Sequence, residues 1–264
     1  MNEKALLQKI IRAMKRLFTA CLLLGTIQAG LSQTNFKYRP SAHSHNDYEQ
    51  SKPLENAYAL GFGSIEADVY VQNGELMVAH ERSEIKPERT FRQLYLTPLL
   101  KLVRQHEGYP YPGHHPLQLM VDLKDAEALP LLEHLLKSHQ FELKQVRFVV
   151  SGSMPRPEEF KNYDEIISFD GRRSQNYGAD VKARVPLISA DFKEFSTQAW
   201  DGATPLSTDV ETKLKAFVAQ AHANGQKTRV WGTPNTALAY QTLQKIGLDY
   251  IGSDQLDKLA ATLN

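Results

Sequence analysis

A single cysteine, Cys21, stands in 264 residues. That excludes a disulfide framework and any cysteine-built zinc site. Neither sign of charge dominates, because 31 Lys and Arg face 30 Asp and Glu for a net charge of +1. The basic footprint of a nucleic-acid binder is therefore missing. No apolar run is long enough for a membrane-spanning helix of about 18 residues or more, since the run Leu17–Leu31 is shorter than that. From Asn35 onward there is no Ser- or Pro-rich linker, no low-complexity tract and no internal repeat. What is present is an ordinary globular composition, 42% hydrophobic and 23% charged. It excludes a disordered tail protein and a collagen, and it suffices for one large buried core.

The N-terminus reads as a targeting segment. Lys4, Lys9, Arg12, Lys15 and Arg16 precede the uncharged stretch LFTACLLLGTIQAGL, and small residues follow at Ala29, Gly30 and Ser32. This is the order of a signal peptide, expected over residues 1–32, with an exported domain over 33–264. Removing residues 1–32 takes away five cations and one acid, so the net charge changes from +1 to −3.

Short apolar runs alternate with helical patterns along that domain. Strands are expected at Ser64–Val71, Leu76–His80, Leu117–Leu123, Val146–Val150, Ile166–Phe169, Val185–Ser189, Thr228–Trp231 and Tyr250–Ile251. Helices are expected at Leu54–Leu60, Phe91–His106, Ala126–Ser138, Val210–Asn224 and Thr236–Ile246, where apolar residues recur at helical spacing. Repeated strand–helix units of this total length predict an α/β fold, a single (β/α)8 TIM barrel. The runner-up, a doubly wound sheet, lacks a Gly-rich first turn.

In such a barrel the chemistry sits at the C-terminal strand ends. Those positions hold His43, His45 and Asn46, then Glu66 and Asp68, His80, Asp122 and Lys124, Trp231, and Asp254. Glu66 and Asp68 are two apart on a strand and so share one face. Two carboxylates so close need positive charge between them, and a divalent cation supplies it well. A lone E-x-D equally suits a lysine pair and a turn cap, but Asp122 offers a third carboxylate. Oxygen-only ligands favour Mg²⁺ or Ca²⁺ over zinc. His45 and His80 are the acid–base candidates, since histidine titrates near neutral pH. Packing roles are preferred for His106, His134, His139 and His222. Asn73-Gly74 signals a hairpin that would set Gln72 opposite Glu75. Counting back, His80 then falls opposite Ala67, away from Glu66 and Asp68, unless a bulge or strand end turns it round.

These residues together resemble the phosphatidylinositol phospholipase C-like phosphodiesterase superfamily, in its glycerophosphodiester phosphodiesterase branch. The stretch AHSHNDYEQSKPLENAYALGFGSIEADVYVQNGELMVAHE is similar to that branch's opening signature, and VDLK, VWGTPN and GLDYIGSDQLDKL are similar to its later elements. The resemblance implies a TIM-barrel phosphodiesterase cleaving glycerophosphodiesters or phospholipid headgroups, with a cyclic phosphate formed where a neighbouring substrate hydroxyl attacks. Carried over by position, it implies His45 and His80 as the acid–base pair and Glu66, Asp68 and Asp122 around Mg²⁺ or Ca²⁺. It further implies Lys124 and Asn46 at the phosphate and Trp231 in the substrate pocket. The implied partner is a small-molecule or phospholipid diester, with peripheral membrane contact and no nucleic acid or protein partner. Three positions depart from the branch: Asn46 stands for an arginine, Glu81 for an aspartate and Asp122 for a glutamate. The aspartate, the lysine and the late tryptophan resemble sphingomyelinase D-type phospholipases, and HSHNDY resembles a group named for altered mitochondrial inheritance. Two rival readings are a non-catalytic barrel that binds a phosphate or headgroup, and a PHP- or amidohydrolase-like metal hydrolase using His43 and His45.

Overall fold

Parallel strands covered on both faces need nearly continuous apolar sequence, and LQLMVDL and VRFVVSG supply it as β4 (Leu117–Leu123) and β5 (Val146–Gly152). The structure is a computed structural model that describes residues 36–263. The expected targeting segment, residues 1–32, lies outside the described residues. Lys37–Asn264 forms one compact unit. No helix among the described residues is long and apolar enough to cross a membrane.

The remaining strands are β1 (Arg39–Ser44), β2 (Phe62–Gln72), β3 (Glu75–Val78), β6 (Ile167–Arg172), β7 (Leu187–Asp191), β8 (Lys227–Trp231) and β9 (Ile251–Ser253). Their order around the sheet is β8-β7-β6-β5-β4-β2-β1-β9, with every neighbour on that path parallel. A parallel bridge between Arg229 and Tyr250 brings the two ends together. The result is an eight-strand barrel, with β3 paired antiparallel to the outer end of β2 as a hairpin. The helices follow their strands: α1 (Glu55–Ala59), a π turn (Arg92–Leu96) running into α2 (Thr97–Gln105), α3 (Ala128–Lys137), α4 (Ala179–Lys182), α5 (Thr208–Ala223), α6 (Ala237–Ile246) and α7 (Leu256–Thr262). After β5 the crossover is reduced to a 3-10 segment, Pro157–Asn162. Met120, Val149, Leu187 and Tyr250 pack together in a fully buried cluster.

The expected barrel is the observed one, and the interior strand β4 keeps its expected bounds. β1 was not among the expected apolar runs. Its inner half is Ala42, His43 and Ser44, all fully buried, so polar side chains fill positions where apolar ones would have marked a strand. α4 and α7 were also unmarked, since both are too short to display a helical period. The hairpin has the expected register, Gln72 opposite Glu75. Because β3 stops at Val78, His80 lies beyond the pleat and is free to turn toward β2.

The loop His106–Pro116 packs through Tyr111 against the start of β2. Tyr111 is fully buried, donates its hydroxyl to the Phe62 carbonyl at 2.6 Å and stacks on Tyr58 with centroids 4.7 Å apart. Burying a large aromatic with its polar end satisfied is strongly stabilising. Tyr111→Ala is expected to lower unfolding free energy by about 3–5 kcal/mol through the cavity it leaves. Urea denaturation followed by circular dichroism measures this, and a loss below about 1 kcal/mol would show that the loop does not hold the barrel.

Candidate active site

The pleat sends alternate residues inward, so Ser64, Glu66 and Asp68 of β2 enter the barrel beside His43 of β1 and Arg229 of β8. Arg229 donates to both Glu66 oxygens, at 3.2 Å from Oε1 and 3.1 Å from Oε2, with both side chains buried. His43 is wholly buried, with Nε2 at 3.2 Å from Glu66 Oε2 and Nδ1 at 2.8 Å from Ser64 Oγ. A carboxylate only accepts. His43 therefore carries its proton on Nε2 and accepts from the Ser64 hydroxyl. Gln118 Nε2 in turn donates to Ser64 Oγ at 3.1 Å. A hydrogen-bonded column thus runs from Gln118 through Ser64 and His43 to Glu66. Burial would raise the Glu66 carboxyl, but Arg229 and His43 outweigh it and hold Glu66 well below the usual range. Burial and the Arg229 charge press His43 down to about 4, so it is neutral at physiological pH.

His45 lies one step further out, with about 38% of its side chain exposed. Its Nδ1–H donates to Asp254 Oδ1 at 2.7 Å, leaving Nε2 directed toward Glu66 at 3.9 Å. Asn235 Nδ2 donates to the other Asp254 oxygen at 3.1 Å. Burial works to lower the His45 pKa, but the Asp254 hydrogen bond and the Glu66 charge raise it above the ordinary histidine value. Trp231, exposed at the end of β8, lines a small cleft with His45, Asn235 and Asp254.

His80 approaches from the hairpin, nearly half exposed. Its Nδ1 is 2.9 Å from the Tyr48 hydroxyl and 3.7 Å from Asp68 Oδ2. The same hydroxyl is 2.8 Å from Asp68 Oδ2 and 2.8 Å from Asn46 Oδ1. Lys124 Nζ sits between two carboxylates, 2.8 Å from Asp68 Oδ2 and 2.6 Å from Asp122 Oδ2. Ser151 donates to the remaining Asp122 oxygen at 2.7 Å. Burial raises the Asp68 carboxyl, while Lys124 pulls against it.

The sequence-predicted residues thus fall in two adjoining groups along β2. His43, His45, Glu66 and Trp231 gather on the β1–β8 side, and Asn46, His80, Asp68, Asp122 and Lys124 on the β4 side. The expected three-carboxylate centre for Mg²⁺ or Ca²⁺ is arranged differently. The donors are hard oxygens, the chemistry such a cation takes, but the placement does not fit one: the seat between Asp68 and Asp122 holds the Lys124 ammonium, and both Glu66 oxygens face Arg229. Among the described residues no three His, Asp or Glu side chains are grouped to hold a metal ion. The H-x-H reading fares similarly, since His43 is turned into the column while His45 faces Asp254. Asp47, two residues after His45, is buried as a bracket for its loop. It accepts from Ser44 Oγ, the Leu54 amide and Tyr95 OH, at 2.8, 2.6 and 3.1 Å.

Arg229, Tyr48 and Ser151 were missed by sequence reasoning. Arg229 had a signal, because it is two residues from Trp231 and shares its face of β8. Tyr48 stood inside the HSHNDY motif with nothing to say where its side chain points, and Ser151 had no signal, since it lies near the end of an apolar strand.

This geometry is set in a barrel whose fold is shared with a solved phosphodiesterase. A glycerophosphodiester phosphodiesterase from Parabacteroides distasonis superposes with a TM-score of 0.54 over 86% of this chain and 98% of its own, at 14% identity. Residues 37–132 match the AIM6-like phosphodiesterase domain. Altered inheritance of mitochondria protein 6 from Saccharomyces cerevisiae (strain YJM789) is 35% identical over 279 residues, covering 88% of this chain and 72% of the yeast protein. The homolog from Arthroderma benhamiae is 27% identical and covers 81% of each chain. The chain belongs to the altered inheritance of mitochondria protein 6 family.

Two tests address the buried charges. Arg229→Met leaves the Glu66 carboxylate buried without its partner, which costs about 3–5 kcal/mol. Adding Glu66→Gln should recover part of that loss in urea unfolding, and an unchanged double variant would show that the pair is not coupled. Asp170, wholly buried on β6, has its carboxyl pushed up from 3.8 to about 7 by burial, against the pull of Arg229. A raised folded value means that its contribution is full below the unfolded pKa and is lost as pH climbs through the folded one. Wild-type stability should therefore fall relative to Asp170→Asn as pH rises from about 4 to 7; parallel pH profiles would refute the shift.

Proposed function

We propose that the chain is a phosphoric diester hydrolase in which His45 and His80 exchange protons with a phosphodiester held over Lys124. The observation that carries this reading is the unequal partnering of two half-exposed histidines. His45 is backed by a carboxylate, Asp254, which stabilises the imidazolium formed when Nε2 takes a proton. That makes His45 the base, drawing a proton from water or from a neighbouring substrate hydroxyl. His80 is backed by the Tyr48 hydroxyl at 2.9 Å, with the Asp68 carboxylate further off at 3.7 Å, and its Nε2 is left to protonate the departing alcohol. Attack by a substrate hydroxyl gives a cyclic phosphate, and attack by water gives the monoester. In either case the proton taken at His45 and the proton given by His80 balance.

Lys124 supports the reading as the cation that meets a non-bridging phosphate oxygen. Its ammonium is held charged above its ordinary pKa by Asp122 and Asp68, which overcome burial. Positive charge placed where the phosphorane oxygens gain charge lowers the barrier directly. Trp231 offers an apolar wall for a glycerol or lipid headgroup beside His45, and Asn46 faces the Tyr48 hydroxyl from the first loop. Glycerophosphodiesters and phospholipid headgroups are the substrate classes that the fold favours. One observation favours a second reading, a barrel that binds phosphate without cleaving it: Arg229 and Lys124 already neutralise the inner carboxylates.

The test is a panel of glycerophosphocholine, lysophosphatidylcholine, sphingomyelin, a phosphoinositide and bis-nitrophenyl phosphate, each with Mg²⁺, Ca²⁺ or EDTA, with products identified by phosphorus NMR. His45→Ala should cost about 10²–10⁴-fold in turnover on every substrate. His80→Ala should cost as much on alkyl diesters yet far less on bis-nitrophenyl phosphate, whose leaving group needs no proton. Equal losses on both leaving groups would reverse the assignment, and no turnover of any diester would favour the binding reading. Asp254→Asn should move the acid limb of the pH–rate profile to lower pH, because the carboxylate no longer raises His45. Turnover unaffected by EDTA would show Lys124 to be the working cation. A gain with Mg²⁺ or Ca²⁺ would require Lys124 to leave Asp68 and Asp122.

A further inference from the structure

Opposite the histidine-bearing mouth, the first residues of the strands surround a cleft of about 910 Å³. Small-molecule sites occupy roughly 300–1,000 Å³. Gln118 of β4, Arg147 of β5, Ser168 of β6 and Lys227 of β8 line it, together with Tyr38 and Tyr250.

Three features of this cleft point to a ligand. Lys227 Nζ donates to the Tyr250 hydroxyl at 3.1 Å and lies 4.7 Å over that ring, so the contacts it makes are to a neutral group. Arg147 stands exposed on the same wall, close enough for its charge to act on Lys227 and Tyr250. Asp249 accepts from the Thr228 amide and hydroxyl and from His222 and offsets only part of the charge at Lys227, while Asp164 holds Lys137 and the Ile166 amide. Glu165 is on the rim. Two cations facing one cleft repel unless an anion lies between them. The third feature is Gln118, which is 3% exposed and whose Oε1 accepts no hydrogen bond. A buried acceptor left without a donor costs about 1–3 kcal/mol, and a ligand hydroxyl or ammonium in the cleft would remove that cost.

We infer that the N-terminal mouth of the barrel is a second ligand site, taking a small hydroxylated oxyanion whose phosphate or carboxylate meets Arg147 and Lys227 while a hydroxyl donates to Gln118 Oε1. The anion is specified by two cations and the hydroxyl by the unmet amide oxygen. The site is distinct from the proposed catalytic mouth, and its claim to a ligand does not depend on diester cleavage. Gln118 also begins the column through Ser64 and His43, so the floor of this cleft and Glu66 belong to one hydrogen-bonded chain.

The experiment is isothermal titration of the full chain with fructose 6-phosphate, citrate and inorganic phosphate. Saturable binding of the two hydroxylated probes is expected, weakened about tenfold or more in Arg147→Ala and in Lys227→Met, as loss of a charge-assisted contact requires. Gln118→Leu should weaken fructose 6-phosphate and leave inorganic phosphate unchanged. Lys101→Met, which removes an exposed cation of α2 outside this cleft, should leave all three isotherms as they are. Binding lost in Lys124→Met but kept in Arg147→Ala would overturn the inference by placing the anion at the other mouth. So would the absence of saturation with every probe. Arg147 is an exposed side chain, so its alanine variant decides the matter even if Lys227→Met fails to fold.

Discussion

A carboxylate sealed inside a barrel has to find positive charge, and Glu66 finds it in Arg229, 163 residues further along the chain. An ionised group left alone in that interior would cost several kcal/mol. The pair spans β2 and β8, strands that are not neighbours in the sheet, and so it ties across the barrel instead of along its wall. His43 adds a further hydrogen bond to Glu66, Ser64 donates to His43, and Gln118 continues the chain toward the far mouth. Each member can hold its place only if the one before it does, because every polar atom removed from water here needs its partner. The column from Gln118 to Glu66 and Arg229 is thus one connected chain of hydrogen bonds built from β1, β2, β4 and β8.

The arrangement also divides the labour among three histidine and carboxylate sets that look alike in sequence. His43 and His45 are two residues apart, yet one is neutral and structural while the other faces solvent with a raised pKa. The difference lies in burial and partners: complete burial, then Arg229, opposes a positive charge at His43, whereas at His45 the Asp254 hydrogen bond and the Glu66 charge outweigh burial. The three carboxylates diverge in the same way. Glu66 answers to Arg229, while Asp68 and Asp122 share Lys124. Two like-charged groups on one face of β2 are tolerated because each has its own cation.

The two mouths of the barrel differ in kind. The C-terminal mouth carries the histidines and carboxylates to which the proposed diester chemistry is assigned. The N-terminal mouth carries cations that nearby acids offset only in part, around an amide oxygen with no donor. Function in this fold is expected at the first of these, and the second is set apart by its unmet groups.

Much was legible before the fold was known. Strand and helix periods in the apolar residues gave the barrel, and the pleat put Glu66 and Asp68 on one face and set Gln72 opposite Glu75. β1 was hidden because His43 and Ser44 occupy its buried positions, and Tyr48 was hidden because a loop has no period to reveal which way a side chain points. His80 could be named but not placed, since the pleat directs it away from Asp68 and only the early end of β3 releases it. Local periodicity is a property of neighbouring residues, and the sequence alone determines it. Which cation a buried carboxylate meets depends on contacts between segments far apart in the chain. The choice of Arg229 for Glu66, of Lys124 for Asp68 and Asp122, and of Asp254 for His45 was therefore decided by the closed barrel alone.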